Sequence, residues 1–294
     1  MSSKLELKAY LGRALGAVGR WLPVVGGSVW LVGCDGRPYR LDGEAFAAAP
    51  TRNPDWGLPL TLDPRGCSPA LRHELRAEWL NAAAAEHASI ASFARLSQQL
   101  LAVGASPALI AGAHMAALDE VKHAQLCYSL ASAYAEEPLG PSAFPQACVP
   151  EQRVAWTRED LLERLALESL TDGCLTEGFA AALACEAGRR AQHPALIKVH
   201  AIVGADERTH AELAWSVLTW CLDQSGDVLR ARVAAEAERL PRAVAPQGPR
   251  ALAEQQRDHG QLSQDERQAL YAATRTEVLR RAAPLFAVPR ARAG

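Results

Sequence analysis

The sequence predicts an all-α protein built around four long helices, and three observations support that prediction. Apolar residues make up 49% of the 294 residues and aromatic residues only 6%, a balance that favours packed helices over a sheet. Four long segments have the apolar spacing of helices, and each begins with a capping residue or a proline typical of a helix start. Two of the four also carry the same short Asp-Glu-x-x-His motif.

Start and stop signals place the four helices in order along the chain. Ser-Pro pairs open the first two helices, a Thr with an Asp three residues later opens the third, and His-Pro opens the fourth. A proline-rich stretch at residues 138–150 separates the second helix from the third, which predicts a long crossover rather than a tight turn. The predicted helices run from Ser68 to about Leu101, from Ser106 to about Ala135, from Thr157 to about Arg190, and from Pro194 to about Cys221.

The helices divide the chain into three expected parts. Residues 1–69 form an N-terminal helix, a small hairpin at 28–42 with Asp35-Gly36 as its turn, and an extended proline-containing arm. Residues 70–222 form the four-helix bundle. Residues 223–294 form a C-terminal extension with a short helix over 225–240 and a last helix capped by Ser263 and ending near Arg281.

Charge and cysteine content argue against several classes of protein. The formal net charge of −2, from 31 basic and 33 acidic residues, gives no overall field that would attract nucleic acid or a membrane. The seven cysteines form no Cys-x-x-Cys pair, so neither a zinc knuckle nor a rubredoxin-type iron site is expected. Four of them, Cys127, Cys174, Cys185 and Cys221, fall within helical patterns and are expected to be small buried groups, which favours a reducing compartment and a cytoplasmic protein.

A second interpretation of the N-terminal region stays open. Residues 31–34 (Leu-Val-Gly-Cys) resemble the lipobox of a bacterial lipoprotein, in which Cys34 would be lipidated and anchor the protein to a membrane. The apolar run before Cys34 is interrupted by Pro23, Gly26 and Gly27, whereas signal-peptide cores are usually unbroken.

The repeated motif is the most informative feature of the sequence. It reads Asp119-Glu120-x-x-His123 in the second helix and Asp206-Glu207-x-x-His210 in the fourth. A Glu and a His three residues apart lie on one face of a helix, where carboxylate and imidazole can hold one side of a metal ion. Helical bundles assemble two-metal carboxylate sites from two such pairs and one Glu from each of two further helices.

The first and third helices should therefore each supply one inward Glu. In the first helix Glu86 has almost entirely small or apolar neighbours, which makes it the candidate. In the third helix Glu177 lies about as far before the turn near His193 as Glu207 of the fourth helix lies after it. Glu168 lies nine residues earlier, roughly 13 Å further along a helix and on nearly its opposite face. Glu177 is therefore the expected ligand.

Further polar residues are assigned roles around this site. Asp119 and Asp206 are expected to accept the second ring N–H of the ligand histidines and so fix their orientation, the alternative being ordinary surface positions. His200 is expected to line a cavity wall or to occupy a plain helix position. His87 and His114 are expected to be surface or packing residues.

On these residues the chain resembles the ferritin-like di-iron carboxylate superfamily, whose order of ligands is Glu, Glu-x-x-His, Glu, Glu-x-x-His. The resemblance covers about residues 70–222. It is similar in detail to the motif of bacterial di-iron monooxygenases, except that Lys122 and Thr209 stand where an Arg is usual. The resemblance implies that Glu86, Glu120, His123, Glu177, Glu207 and His210 bind two iron ions, or a mixed manganese–iron pair.

The resemblance also implies a reaction with O₂ or peroxide. The favoured expectation is an oxidase or oxygenase that acts on an unknown substrate and receives electrons from a separate donor. One alternative is an iron-binding, ferroxidase or peroxide-stress protein without an organic substrate. Another is a membrane-tethered lipoprotein bundle with a vestigial site. No nucleic-acid partner is expected, and oligomerisation is left open.

Overall fold

The structure of the protein is a computed structural model that describes residues 36–41, 44–145, 156–244 and 252–287. Helices account for most of these residues, as the all-α prediction requires. The predicted N-terminal helix and Cys34 lie outside the described residues. None of the helices in the described ranges is both long and apolar enough to span a membrane.

Four long helical segments follow one another as the sequence predicts. The third is continuous but irregular in its middle, where a π-helical segment interrupts the α-helix. The elements are α1 (Pro69–Ala102), α2 (Pro107–Ala135), α3 (Arg158–Glu168), the π-helical segment (Ser169–Glu177), α4 (Gly178–Arg190) and α5 (Pro194–Gln224).

Local hydrogen bonds explain where these helices begin and end. The side chain of Ser68 accepts a bond from the backbone N–H of Leu71 at the start of α1, and Thr157 and Asp160 form the predicted capping box at the start of α3. Gly104, with φ +73°, turns the chain between α1 and α2 in a conformation that glycine adopts without steric cost. The predicted starts are thus confirmed.

The four long segments pack side by side. α1 lies along α2, and α5 contacts α2, α3, the π-helical segment and α4, while α1 also touches α3. Between α2 and α3 the chain forms strand β4 (Leu139–Pro141), which pairs antiparallel with β3 (Pro50–Arg52) from the N-terminal arm, Thr51 opposite Gly140.

Buried apolar residues form two main clusters along the helices. One cluster includes Phe93, Leu96, Leu165 and Leu218. The other includes Leu75, Trp79, Leu130 and Leu196. The stretch between them carries the candidate ligand residues, so a buried polar layer divides the hydrophobic core.

The predicted hairpin at 28–42, with its turn at Asp35-Gly36, falls mostly on residues outside the described ranges. Strand β1 (Arg40–Leu41) pairs antiparallel with β2 (Glu44–Ala45), with Arg40 opposite Ala45. Gly36 does not have the positive φ for which glycine is often needed in turns. It lies instead against α1, where a side chain would collide with Ser89. Residues 28–35 lie outside the described ranges.

The C-terminal extension packs onto the long helices. It contains α6 (Asp227–Arg239), α7 (Glu254–Asp258) and α8 (Gln264–Phe286), and α8 contacts α4, α6 and the π-helical segment. Ser263 caps α8 as predicted, but the helix extends five residues past the expected end at Arg281. It accommodates Pro284 in its last turn, where the missing N–H breaks only one intrahelical bond.

The contact between the π-helical segment and α5 gives a first testable expectation. A Cβ on Gly173 would lie 2.2 Å from Cβ of Ala214, so Gly173→Ala should lower the free energy of unfolding by about 1–3 kcal/mol through overpacking. Gly66→Ala is the matched control because a Cβ there meets nothing within 4 Å. Urea unfolding of both variants measures the difference, and equal stabilities would contradict the close packing.

Candidate metal centre

The structure brings the six predicted ligand residues together in the buried layer. α1 supplies Glu86, α2 supplies Glu120 and His123, the end of the π-helical segment supplies Glu177, and α5 supplies Glu207 and His210. All six are at most 2% exposed.

The six residues form two overlapping groups that share Glu207. Ligand atoms of Glu86, Glu120, His123 and Glu207 lie within 4.8 Å of one another. Those of Glu177, Glu207 and His210 do the same. Each group is compact enough to hold a metal ion.

Glu120 and Glu207 lie between the two histidines. Nδ1 of His123 is 3.6 Å from Oε2 of Glu120 and 3.4 Å from Oε1 of Glu207. Nδ1 of His210 is 3.1 Å from Oε1 of Glu120 and 3.9 Å from Oε2 of Glu207. Each of these carboxylates therefore presents one oxygen to each imidazole, the arrangement that a shared, bridging carboxylate requires.

The potential ligand atoms have no hydrogen-bond partner. Both carboxylate oxygens of all four Glu, and Nδ1 of both His, are buried without one. Burying carboxylates without compensation costs several kcal/mol each, and buried charges in proteins are normally paired or coordinate metals. The donor set consists of carboxylate oxygens and two imidazole nitrogens. Iron and manganese accept such donors readily, whereas structural zinc sites are usually rich in cysteine sulfur.

Without a metal the site holds protons. Burial raises the pKa of Glu86 well above its ordinary value, and the charges of Glu120 and Glu207 add to the rise. Burial likewise raises the pKa of Glu177 and of Glu207. For Glu120, burial alone would raise the pKa, but contact with His123 and His210 outweighs it and lowers the pKa.

The pKa values of the two histidines are raised for the complementary reason, the nearby negative charges. Burial on its own would lower the pKa of His123, but Glu120 and Glu207 beside it raise that pKa to about 11. The same competition, with Glu120 as the strongest partner, raises the pKa of His210 to about 10. A metal ion entering the site must therefore displace protons from the imidazoles.

Each Asp of the repeated motif contacts the His of the other copy. Nε2 of His123 lies 3.1 Å from Oδ2 of Asp206, and Nε2 of His210 lies 3.4 Å from Oδ2 of Asp119. The sequence predicted Asp–His contacts but did not show that they cross from one helix to the other. The side chains of Asp206 and Asp119 are 26% and 36% exposed, so these contacts connect the buried imidazoles with the surface.

Glu177 reaches the cluster through the π-helical segment, which the sequence analysis did not anticipate. This segment ends at Glu177 and starts just after Glu168. The expectation that the two residues face opposite sides assumed a regular α-helix, and the wider turns of a π-helix invalidate that step. Glu168 nevertheless belongs to neither group. Its side chain is 19% exposed, and its Oε1 pairs with Nε of Arg164 at 2.7 Å.

Arg37 is the charged neighbour of the site that the sequence analysis missed. It is only 2% exposed, and its guanidinium carbon lies 5.9 Å from the ring centre of Phe93. Its nearest described carboxylate partner is Glu168, 3.9 Å from Nη2. Burial is the main influence on the pKa of Glu177 and raises it, while the charge of Arg37 is among those that oppose the rise. A single arginine in a segment predicted as a hairpin gives no sequence signal of this burial.

The remaining histidines lie outside the two groups. The ring centre of His200 lies 5.4 Å from that of Trp79, and burial lowers the pKa of His200 to about 4. The ring centre of His87 lies 5.0 Å from that of Trp56. Nε2 of the exposed His114 lies 2.9 Å from Oγ of Ser97.

Comparison with known proteins adds no independent identification. No family model, curated protein or solved structure matches this chain. The helical architecture and the buried cluster of Glu and His, which could hold a metal ion, therefore carry the functional argument.

The raised pKa values predict how the stability of the metal-free protein depends on pH. Because His123 and His210 have pKa values of about 11 and 10, the folded protein binds more protons than the unfolded chain above about pH 6.5. The raised pKa values of Glu86, Glu177 and Glu207 act in the same direction. The free energy of unfolding should therefore fall as the pH rises from about 6.5 to 9.

Urea unfolding in the presence of a chelator measures this dependence. The same series with saturating Mn²⁺ is the control, because metal-bound ligands are already deprotonated and the decline should disappear. A metal-free protein whose stability stayed constant or increased over this range would contradict the proton-holding site.

The crossed Asp–His contacts predict that a residue outside the ligand set controls metal affinity. Asp206→Asn removes the negative charge facing Nε2 of His123, and should weaken Mn²⁺ binding about 10- to 100-fold. Asp55→Asn, at an exposed position outside both ligand groups, is the control. Isothermal titration at constant pH measures both, and equal affinities would show that Asp206 is an ordinary surface residue.

Proposed function

We propose that the chain is a ferritin-like four-helix bundle that binds two iron ions, or a mixed manganese–iron pair, and reacts with O₂ or peroxide as an oxidoreductase. The observation that carries the proposal is the set of buried carboxylates and imidazoles whose ligand atoms converge without hydrogen-bond partners. The crossover and the packing of the four long segments agree with a bundle of this kind.

Charge balance favours two divalent cations. Glu86, Glu120, Glu177 and Glu207 bring four negative charges when ionised, and two divalent cations bring four positive charges while both imidazoles are neutral. This neutrality matters because an unbalanced charge is costly in a layer enclosed by two apolar clusters.

The residues divide between the two ions by position. Glu86 and His123 would hold one ion, Glu177 and His210 the other, and Glu120 and Glu207 would be shared. Iron supplies one-electron redox chemistry towards O₂ or peroxide. The chain itself orients the ligands: Oδ2 of Asp206 and of Asp119 accepts the Nε2–H of each ligand His and keeps Nδ1 free for metal.

An oxidase or oxygenase served by a separate electron donor is our first candidate, since no Cys-x-x-Cys pair is available for a rubredoxin-type centre of its own. A second candidate, an iron-oxidising or peroxide-removing protein without an organic substrate, is favoured by one specific contact. Gly36 packs directly against Glu86 and Glu120, leaving little space for an organic molecule there.

A cytoplasmic location remains a prediction, as does the lipid anchor at Cys34.

The test begins with metal content after anaerobic loading with Fe(II). The wild-type chain should bind about two irons. Glu177→Ala should lower this to about one, while Glu168→Ala, the matched change nine residues earlier, should leave it unchanged. The opposite pattern would transfer the ligand role to Glu168, and a wild-type chain without iron would refute the proposal.

Rapid mixing of the loaded protein with O₂ or with hydrogen peroxide then separates the candidates. Oxidation of the bound irons, followed by re-reduction and further turnover with an added electron donor, supports an oxidase or oxygenase. Uptake of many irons per chain supports iron storage. Bound iron that reacts with neither oxidant would make the site a structural metal centre.

A further inference from the structure

A strap of polypeptide, residues 36–40 (Gly-Arg-Pro-Tyr-Arg), crosses the helices beside the candidate metal centre. The hydroxyl groups of Ser89 and Ser92 on α1 donate hydrogen bonds to the backbone carbonyls of Arg37 and Pro38, at 2.9 and 3.2 Å. Arg95 donates to the carbonyl of Arg40. Since residues 89, 92 and 95 lie on one face of α1, the strap follows that face.

The strap also reaches the third long helical segment. Nη1 of Arg40 lies 2.8 Å from Oδ1 of the buried Asp172, and Nη2 of Arg37 lies 3.9 Å from Oε2 of Glu168. The strap therefore bridges α1 and the π-helical segment, the two elements that supply Glu86 and Glu177.

Gly36 brings the backbone of the strap against two candidate ligands. A Cβ at this position would lie 2.6 Å from Oγ of Ser89, 3.0 Å from Oε2 of Glu86 and 3.2 Å from Oε2 of Glu120. Even the smallest side chain would therefore displace the serine, the carboxylates or the strap itself. Only glycine allows this close approach.

The Arg37 side chain enters the helical core beside the other half of the centre. It packs over Phe93, whose ring lies 5.2 Å from that of His210, and its Nη1 would be 3.6 Å from a Cβ on Gly173. Arg37 thus occupies the space between α1 and the π-helical segment next to His210 and Glu177.

The opposite side of the centre is closed in a different way. There α2 and α5 supply the two histidines, each backed by an Asp of the other helix. The strap and the crossed Asp–His contacts therefore enclose the candidate ligands from two opposite faces.

We propose that Gly36 and Arg37 determine specificity by size: the strap admits reactants such as O₂, hydrogen peroxide or a metal ion and excludes organic substrates. This inference rests on the proposed metal centre and favours its second candidate, a protein without an organic substrate, over the oxidase or oxygenase. In this protein the face of the bundle between α1 and the third helical segment is a wall and not a substrate pocket.

Two probe anions of equal charge and different size test the proposal on the Co(II)-loaded full-length protein. Visible absorption of Co(II) reports the binding of azide and of benzoate independently of any catalytic activity. The wild-type protein should bind azide and exclude benzoate. Arg37→Ala should lower the ratio of the benzoate to the azide dissociation constant at least about tenfold, because it empties space beside His210. Both probes are monoanions, so the lost arginine charge cancels in this ratio.

Gly36→Ala should act in the opposite direction. Its methyl group adds bulk beside Glu86 and Glu120, and it should weaken azide binding about tenfold or more and change the Co(II) absorption spectrum. Gly66→Ala, which meets nothing within 4 Å, should change neither. If Arg37→Ala does not fold, as judged by circular dichroism, Ser92→Ala loosens the strap at Pro38 and should shift the ratio the same way by a smaller factor.

The outcomes distinguish a failure of the proposed metal centre from a failure of the size filter. A wild-type protein that binds no Co(II) overturns the metal centre and the size filter with it. A protein that binds Co(II) but accepts benzoate as readily as azide overturns the size filter alone. An unchanged ratio of the benzoate to the azide dissociation constant in folded Arg37→Ala or Ser92→Ala also overturns the size filter alone.

Discussion

The mutual repulsion of four buried carboxylates is the constraint on which the rest of this structure depends. Glu86, Glu120, Glu177 and Glu207 converge in a buried layer, where like charges repel strongly. Protons and the two histidines relieve that repulsion in part, and cations would relieve it fully. The helices, the π-helical segment and the crossed Asp–His contacts all serve to hold these groups at one place.

Helical periodicity and capping residues allowed much of this arrangement to be predicted from the sequence. The start of each long helix follows from a local signal such as the Thr157–Asp160 capping box. The motif residues lie on one face of their helices for reasons of helical geometry alone. Local rules of this kind depend on neighbours within a few residues, which a single sequence displays directly.

The features that could not be predicted depend on contacts between distant parts of the chain. Nothing near Arg37 in the sequence shows that its guanidinium enters the core beside Phe93, some 56 residues later in the chain. Asp35-Gly36 has turn composition, but composition does not show that Gly36 approaches α1 closely. The π-helical segment was missed because helix periodicity assumes regular turns, although Gly173 and Gly178 on either side of Cys174 and Leu175 mark the irregular stretch.

The crossed Asp–His contacts also have a consequence for the assembly of the helices. Asp119 of α2 faces His210 of α5, and Asp206 of α5 faces His123 of α2, so each helix contributes one Asp and one His to the pair of contacts. Such a pair forms only if α2 and α5 are antiparallel and in one register. A slip of a single residue, about 1.5 Å along a helix, would misalign both contacts at once. The repeated motif therefore encodes the alignment of its own two helices.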